Sequence, residues 1–315
     1  MLEQFIFSAT ITGPIFLMLL LGVVLKRINL INEPFIETAS KLVFQVTLPA
    51  LLFLSIVNAD HDFEKSLPFV FYGLAANILF FIFTSLSTKV LFKNGIDNGV
   101  IIQGGFRANT AIIGLAYIAN AYGDSGVAIA ALYVASTTVL YNILAVIALS
   151  PKNESSSVKA YAMIVKTVTK NPLIIAIMAA FACFSLSIPI PDMLTSAGQY
   201  FADMTLPLAL LCTGGSLNLK SLKDEQMSTW FASICKLVLC PLLITTGGYL
   251  FGFRGIELGI LFFMTAAPTA AASYVMARAM GGNPTLAANI IALTTVASLA
   301  TYTVGIVLLS NLNLM

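Results

Sequence analysis

The sequence predicts an all-α polytopic membrane protein: ten transmembrane helices in two inverted five-helix repeats. Three observations carry that prediction. The 315 residues are 58% hydrophobic and only 10% charged, where a soluble domain has roughly 25% charged residues, so lipid must cover most of the surface. Apolar runs of the length that crosses a bilayer, about 20 residues, recur along the whole chain. The sequence also resembles itself. Thr47-Leu48-Pro49 returns 158 residues later as Thr205-Leu206-Pro207, and the same offset carries Pro14 onto Pro172, Leu30 onto Ile188 and Gly123 onto Gly281. Near the fourth apolar run the offset drifts by two, so that Asp97-Asn98-Gly99 meets Glu257-Leu258-Gly259.

Taken in order, the expected spans are 8–25, 35–57, 67–91, 98–121, 125–149, 171–188, 197–218, 228–251, 256–280 and 285–310. The start, Met1-Leu2-Glu3-Gln4, has no basic region or cleavage motif, so the first run reads as a helix rather than a removed signal. The runs are long and lack the period-two alternation of an outer-membrane barrel strand. The longest polar link, 150–170, joins a first repeat, 1–149, to a second, 171–315. Basic residues in short links set the orientation. The links after spans 1, 3, 5 and 7 hold Lys26, Arg27, Lys89, Lys93, Lys152, Lys159, Lys166, Lys170, Lys220 and Lys223; the other side holds only Lys65 and Arg254. The first set is expected in the cytoplasm, with both termini outside the inner membrane. An odd number of spans per repeat turns the second copy upside down. Inverted repeats are the usual mark of a transporter with its site at the repeat interface.

Other chemistry is excluded by what the residues do not supply. A net charge of +2 points to no nucleic-acid partner. Cys183, Cys212, Cys235 and Cys240 all fall in apolar runs and read as small hydrophobes. His61, the only histidine, lies among Asp60, Asp62 and Glu64, which make no defined metal cage. There is no H-E-x-x-H or G-x-S-x-G motif and no paired intramembrane acid, so neither an enzyme nor a cofactor is expected. Asn153-Glu154-Ser155 matches a glycosylation sequon but falls in the expected cytoplasmic link.

Two spans look interrupted. The fourth reads Gly104-Gly105-Phe106-Arg107-Ala108-Asn109-Thr110-Ala111, then Gly114, polar and glycine-rich where a span should be most apolar. The ninth reads Thr265-Ala266-Ala267-Pro268-Thr269-Ala270-Ala271-Ala272-Ser273 at the matching place. Proline removes a backbone donor, and unpaired backbone is tolerated at that depth only around a cavity or buried in protein. Both spans are therefore expected to break and cross near the midplane, where half-helix N-termini offer N–H groups and positive dipole ends to an anion. Arg107 carries a charge that costs roughly 2.5–3.5 kcal/mol at a span centre. It reads as a carboxylate partner for the substrate, with snorkelling or a structural acid as the alternatives. Asn109, Thr110, Pro268, Thr269 and Ser273 complete the expected substrate-binding set, and no metal is expected. Pro49 and Pro207 read as paired kinks whose Thr47 and Thr205 hydroxyls re-satisfy freed backbone. Lys236, midway into the eighth span, reads as snorkelling. Asp203, early in the seventh span at the position matching Gln45, is the candidate for proton coupling.

The segment Phe106-Arg107-Ala108-Asn109-Thr110-Ala111-Ile112-Ile113-Gly114, closed by Tyr122-Gly123, is similar to the helix 4 signature of the auxin efflux carrier family. That family covers bacterial malate and malonate permease-like proteins and the plant PIN carriers. Ala267-Pro268-Thr269 through Ala277, Gly281-Gly282-Asn283-Pro284 and Leu206-Pro207 through Gly215-Ser216-Leu217 extend the resemblance over nearly the whole chain. It implies ten helices in two inverted repeats, crossed helices 4 and 9, an organic-anion site at the crossing with Asn109 as polar contact, and a homodimer. The plant relatives carry proline where Ala108 stands, and again after the glycine, where Leu115-Ala116 stand. Their helix 3 acid–base pair is replaced by Asn77 alone. These departures favour a small carboxylate such as malate or malonate over auxin, with H+ or Na+ as possible co-transported ion. A sodium-coupled bile-acid-type carrier and a non-transporting sensor that binds a small carboxylate are the alternatives.

Overall fold

The computed structural model describes residues 2–59, 66–93, 95, 97–150, 169–186, 188–217 and 227–315. His61 with its acidic neighbours, the Asn153 sequon, and Lys65, Lys152, Lys159, Lys166, Lys220 and Lys223 lie outside them. The described residues form thirteen α-helices and three π turns. In order these are α1 (Leu2–Arg27), α2 (Glu33–Leu42) running through a π turn (Val43–Thr47) into α3 (Leu48–Val57), and α4 (Leu67–Leu91). Next come α5 (Asn98–Phe106), a π turn (Thr110–Gly114) leading into α6 (Leu115–Leu149), α7 (Pro172–Ser185) and α8 (Asp192–Ser216). The chain continues with α9 (Met227–Ile234), a π turn (Cys235–Leu239), α10 (Cys240–Leu250), α11 (Gly255–Ala266), α12 (Ala272–Ala279) and α13 (Pro284–Asn311). Among the described residues six stretches are long and apolar enough to cross a membrane, and α7 and α11 are shorter apolar helices.

Local chemistry explains where helices begin. Asn32, Asn171 and Asn283 each cap a helix by accepting from a backbone N–H in its first turn, and a proline follows within the first two helical positions each time. Gly123 sits inside α6 at φ +60°, ψ −153°, so the expected boundary between the fourth and fifth spans is a left-handed kink that only glycine tolerates easily.

Two π turns each end two residues before a proline, Pro49 and Pro241. A proline cannot donate to the carbonyl four residues back, and in both places the preceding turn is widened. The Leu48 N–H bonds the Val43 carbonyl, and the Cys240 N–H bonds the Cys235 carbonyl. Pro207, which the sequence offset of 158 pairs with Pro49, instead lies inside the continuous helix α8. The expectation that the two threonines re-satisfy freed backbone needs correction. The Thr205 hydroxyl donates to Phe201 O at 3.0 Å, not to the Asp203 carbonyl that Pro207 leaves free. The Thr47 hydroxyl is buried without a partner, because the widened turn has already changed the register.

Burial is concentric. Every residue from Val100 to Phe106 of α5 and from Leu258 to Ala266 of α11 is buried, the pattern of helices apolar all round inside a bundle. The outer helices turn large apolar side chains outward, Leu17 on α1, Leu79 and Val90 on α4 and Met193 on α8. In a membrane protein acyl chains cover that surface. α1 packs against α8 and α13, and α3 against α7 and α8. The α1–α8 contact is backbone on backbone: a Cβ on Gly214 would overlap the Leu19 carbonyl, and one on Gly22 would overlap Leu211 O. Small residues that admit this approach are how helices associate without a hydrophobic drive between them. Gly214→Val is therefore expected to destabilise the detergent-solubilised protein by about 1–3 kcal/mol. Gly13→Ala, where nothing lies within 4 Å of the added carbon, should not lower the melting temperature.

Candidate functional site

The helix that begins at Asn98 stops after Phe106, and the one that begins at Gly255 stops after Ala266. Both chains then run extended, with Arg107 at φ −77°, ψ 109° and Ala267 at φ −58°, ψ 139°. The two extended pieces meet antiparallel, Ala108 opposite Thr269. The Asn109 N–H donates to Pro268 O at 2.8 Å, and the Ala270 N–H donates to Arg107 O at 3.1 Å. Each break thus supplies backbone partners to the other, which is what makes broken backbone tolerable in a buried place.

A broken helix leaves bare carbonyls at its C-terminal end and bare N–H groups where the chain resumes. At each carbonyl end, side chains of other elements take part of the bare carbonyls. The Thr269 hydroxyl donates to Gly104 O at 2.7 Å, and the Lys236 ammonium donates to Thr265 O at 2.6 Å. The Thr269 N–H is itself held by the Thr294 hydroxyl at 3.1 Å.

The two resuming ends face a common space. A cavity of about 290 Å³ is lined by Thr110, Ala111 and Ile112 at the start of one resumed helix and by Ala270, Ala271 and Ala272 at the start of the other. Arg107, Asn109, Thr138, Tyr141, Asn142 and Asn171 supply its polar wall. Arg107 is only 7% exposed. Its Nη2 donates to Asn142 Oδ1 at 2.8 Å and its Nη1 points at the Met276 sulfur. Among the described residues no carboxylate lies within ion-pair distance of it; the pairs formed are Lys26–Glu33 and Lys41–Glu37. The cavity therefore holds a buried guanidinium and two positive helix ends with no fixed anion to balance them. Behind the wall, the Tyr141 hydroxyl donates to Asn77 Oδ1 at 2.8 Å, and Asn77 Nδ2 donates to Gly73 O at 2.7 Å and to Tyr133 OH at 3.0 Å. This chain ties the cavity wall to α4.

The expected site residues are distributed as follows. Arg107, Asn109 and Thr110 line the cavity. Pro268 and Thr269 build the crossing, and the Thr269 hydroxyl is committed to Gly104 O. Ser273, on the first turn of α12, is buried with its hydroxyl unpartnered, outside the cavity wall. Gly104 and Gly105 lie within α5, just before the break, and admit Ile290 and Thr84 at close range; Gly114 does the same for Met264. Pro49 borders a separate apolar cavity with Cys183 and Ile188. Asp203 is exposed on α8 and accepts from Gln199 Nε2 at 2.7 Å.

Lys236 requires a correction. It does not reach toward a membrane surface: it is fully buried, and its ammonium is held by the Thr265 carbonyl and, at 3.6 Å, by Cys240 Sγ. The end of a broken helix attracts a cation more strongly than a distant headgroup does. Sequence reading also missed Asn142, Thr138, Tyr141 and Asn171. Asn142 was the findable one, the single amide in the expected span 125–149.

A family model described as "Membrane transport protein" matches residues 10–306. An uncharacterized transporter of Methanothermobacter thermautotrophicus is 22% identical over 270 residues, covering 84% of this chain and 85% of its own. An uncharacterized transporter of Methanocaldococcus jannaschii is 25% identical over 299 residues, covering 90% and 93%. A crossing of two broken, buried helices beside a positively charged cavity, in a chain matched from its first apolar helix to its last, thus belongs to the membrane transport protein family, the auxin efflux carrier family that its crossing motifs resemble.

Proposed function

We propose that this transporter moves a small organic anion, a carboxylate of the size of malate or malonate, across the cytoplasmic membrane by alternating access at the helix crossing. The observation that carries the reading is the cavity that gathers Arg107 and two half-helix N-termini without a compensating acid. A guanidinium fork matches a carboxylate in shape and charge, and desolvated N–H groups bind the same ligand class. The cavity's 290 Å³ sits at the lower bound of small-molecule sites, roughly 300 Å³, which favours a short dicarboxylate over a ligand with a fused aromatic ring.

The same reading takes the chain as ten spans in two inverted repeats. In its support, the paired residues Ala108 and Thr269 are 161 positions apart, close to the offset of 158 to 160 that relates the sequence halves. Asn171 and Pro172, which follow the basic link at the start of α7, line the cavity. By the distribution of basic residues that side is cytoplasmic, so the cavity is the inward-facing form of the site. Alternation then requires the carboxylate to bind one form better than the other, and closure of the resumed helix starts around it supplies that difference.

Uptake of labelled malate and malonate into proteoliposomes tests the reading, and Arg107→Ala should cut it sharply at subsaturating anion while the variant still folds. Loss of one charge-assisted contact, about 1.5–3 kcal/mol, corresponds to roughly ten- to a hundredfold weaker anion binding. Normal uptake in that variant would remove Arg107 from the site. Asn142→Asp is the complementary test. It places a carboxylate against the guanidinium where the substrate's would sit, and binding should fall about as far as in Arg107→Ala.

A further inference from the structure

The last-turn carbonyls at the crossing meet chemically different donors. The α5 end at Gly104 takes a neutral hydroxyl from Thr269. The α11 end takes the Tyr302 hydroxyl at Phe263 O, 2.8 Å, and, at Thr265 O, the ammonium of Lys236, a residue with no exposed surface. Burial of an ammonium costs several kcal/mol even after relaxation, and the threonine shows that a neutral donor is enough to close such an end. No carboxylate among the described residues lies within ion-pair distance of Lys236; its partners are the Thr265 carbonyl and the Cys240 sulfur. Among the described residues the charge is therefore matched to the negative end of the half-helix dipole and to no carboxylate. In transporters with discontinuous helices, carbonyls at half-helix C-terminal ends are where coupling cations bind.

We propose that the Lys236 ammonium is the resident cation of this carrier, standing on the Thr265 carbonyl end where a sodium ion would otherwise bind, so that transport needs no sodium. This inference deepens the anion-carrier reading and rests on it for its transport consequence, though the cation site itself is defined without the anion. Lys236 acts as a positioning residue. It holds the α11 end, and with it the crossing strand that includes Thr269 and Ala270, in a fixed electrostatic state through the transport cycle. A carrier of this kind has one fewer ligand to release than one that must load and unload sodium at the same carbonyl.

The test is thermal melting of the purified, detergent-solubilised protein in sodium chloride against choline chloride at equal ionic strength, with no organic anion present. The parent protein should melt at the same temperature in both salts. Lys236→Gln retains an N–H donor for the Thr265 carbonyl but removes the charge; it should melt lower in choline and recover in sodium. A sodium-dependent rise in the parent, or no difference between the salts in the variant, would overturn the proposal. If Lys236→Gln does not fold, uptake of labelled malonate by the parent protein decides. Equal rates with and without sodium support a resident cation, and uptake that needs a sodium gradient refutes it. Failure of malonate to be transported at all would count against the proposed substrate and leave the melting comparison standing.

Discussion

Two backbone hydrogen bonds hold this molecule's centre together. Asn109 to Pro268 and Ala270 to Arg107 join two helices at the point where each is interrupted. In an apolar surrounding, a broken helix alone would leave carbonyls and N–H groups without partners, at a cost of about 1–3 kcal/mol for each. Pairing the breaks removes part of that cost, and Thr269 and Lys236 remove more by each taking one carbonyl of a broken end. The N–H groups at the resumed starts remain, and they face a cavity. The architecture thus places its residual polarity where a ligand can satisfy it.

The site's electrostatics follow from the same arrangement. Arg107 belongs to the crossing strand, so its backbone carbonyl is held by Ala270 while its side chain turns to Asn142. A neutral amide orients the guanidinium without neutralising it. An acid in that place would make a stable buried pair and compete with any anionic ligand. On the other side of the crossing Lys236 faces a helix end instead of a ligand space. The two buried cations thus differ in freedom. One is held by neutral side chains at a cavity wall, the other is fixed to backbone.

Much of this was legible in the sequence, and the reasons are specific. A run such as Gly104 to Thr110 in a span, or Pro268 in another, contradicts the need for continuous apolar helix, so the breaks could be read from residue type. Arg107 stood out because a charge in a span demands a reason. Other features depend on which neighbour lies opposite. Lys236 closes a helix end that belongs to α11, and nothing in its own segment announces that partner. Asn142 lies 35 residues beyond Arg107 and meets it only through the fold. The prolines at 49 and 207 show the limit of local motifs: the same Thr-Leu-Pro starts on the last residue of a widened turn at 47 and lies inside a continuous helix at 205. A π turn depends on hydrogen-bond register along the helix, and three residues do not encode it.

If a small anion completes the cavity at the crossing, its charge and not its shape must decide binding. The most direct measurement compares malonate with malonamide, its neutral relative of nearly the same shape, as stabilisers of the purified protein in sodium-free buffer. Malonate should raise the melting temperature in a saturable way, and malonamide should leave it unchanged. Equal stabilisation by the two, or none by either, would mean that the cavity does not read charge.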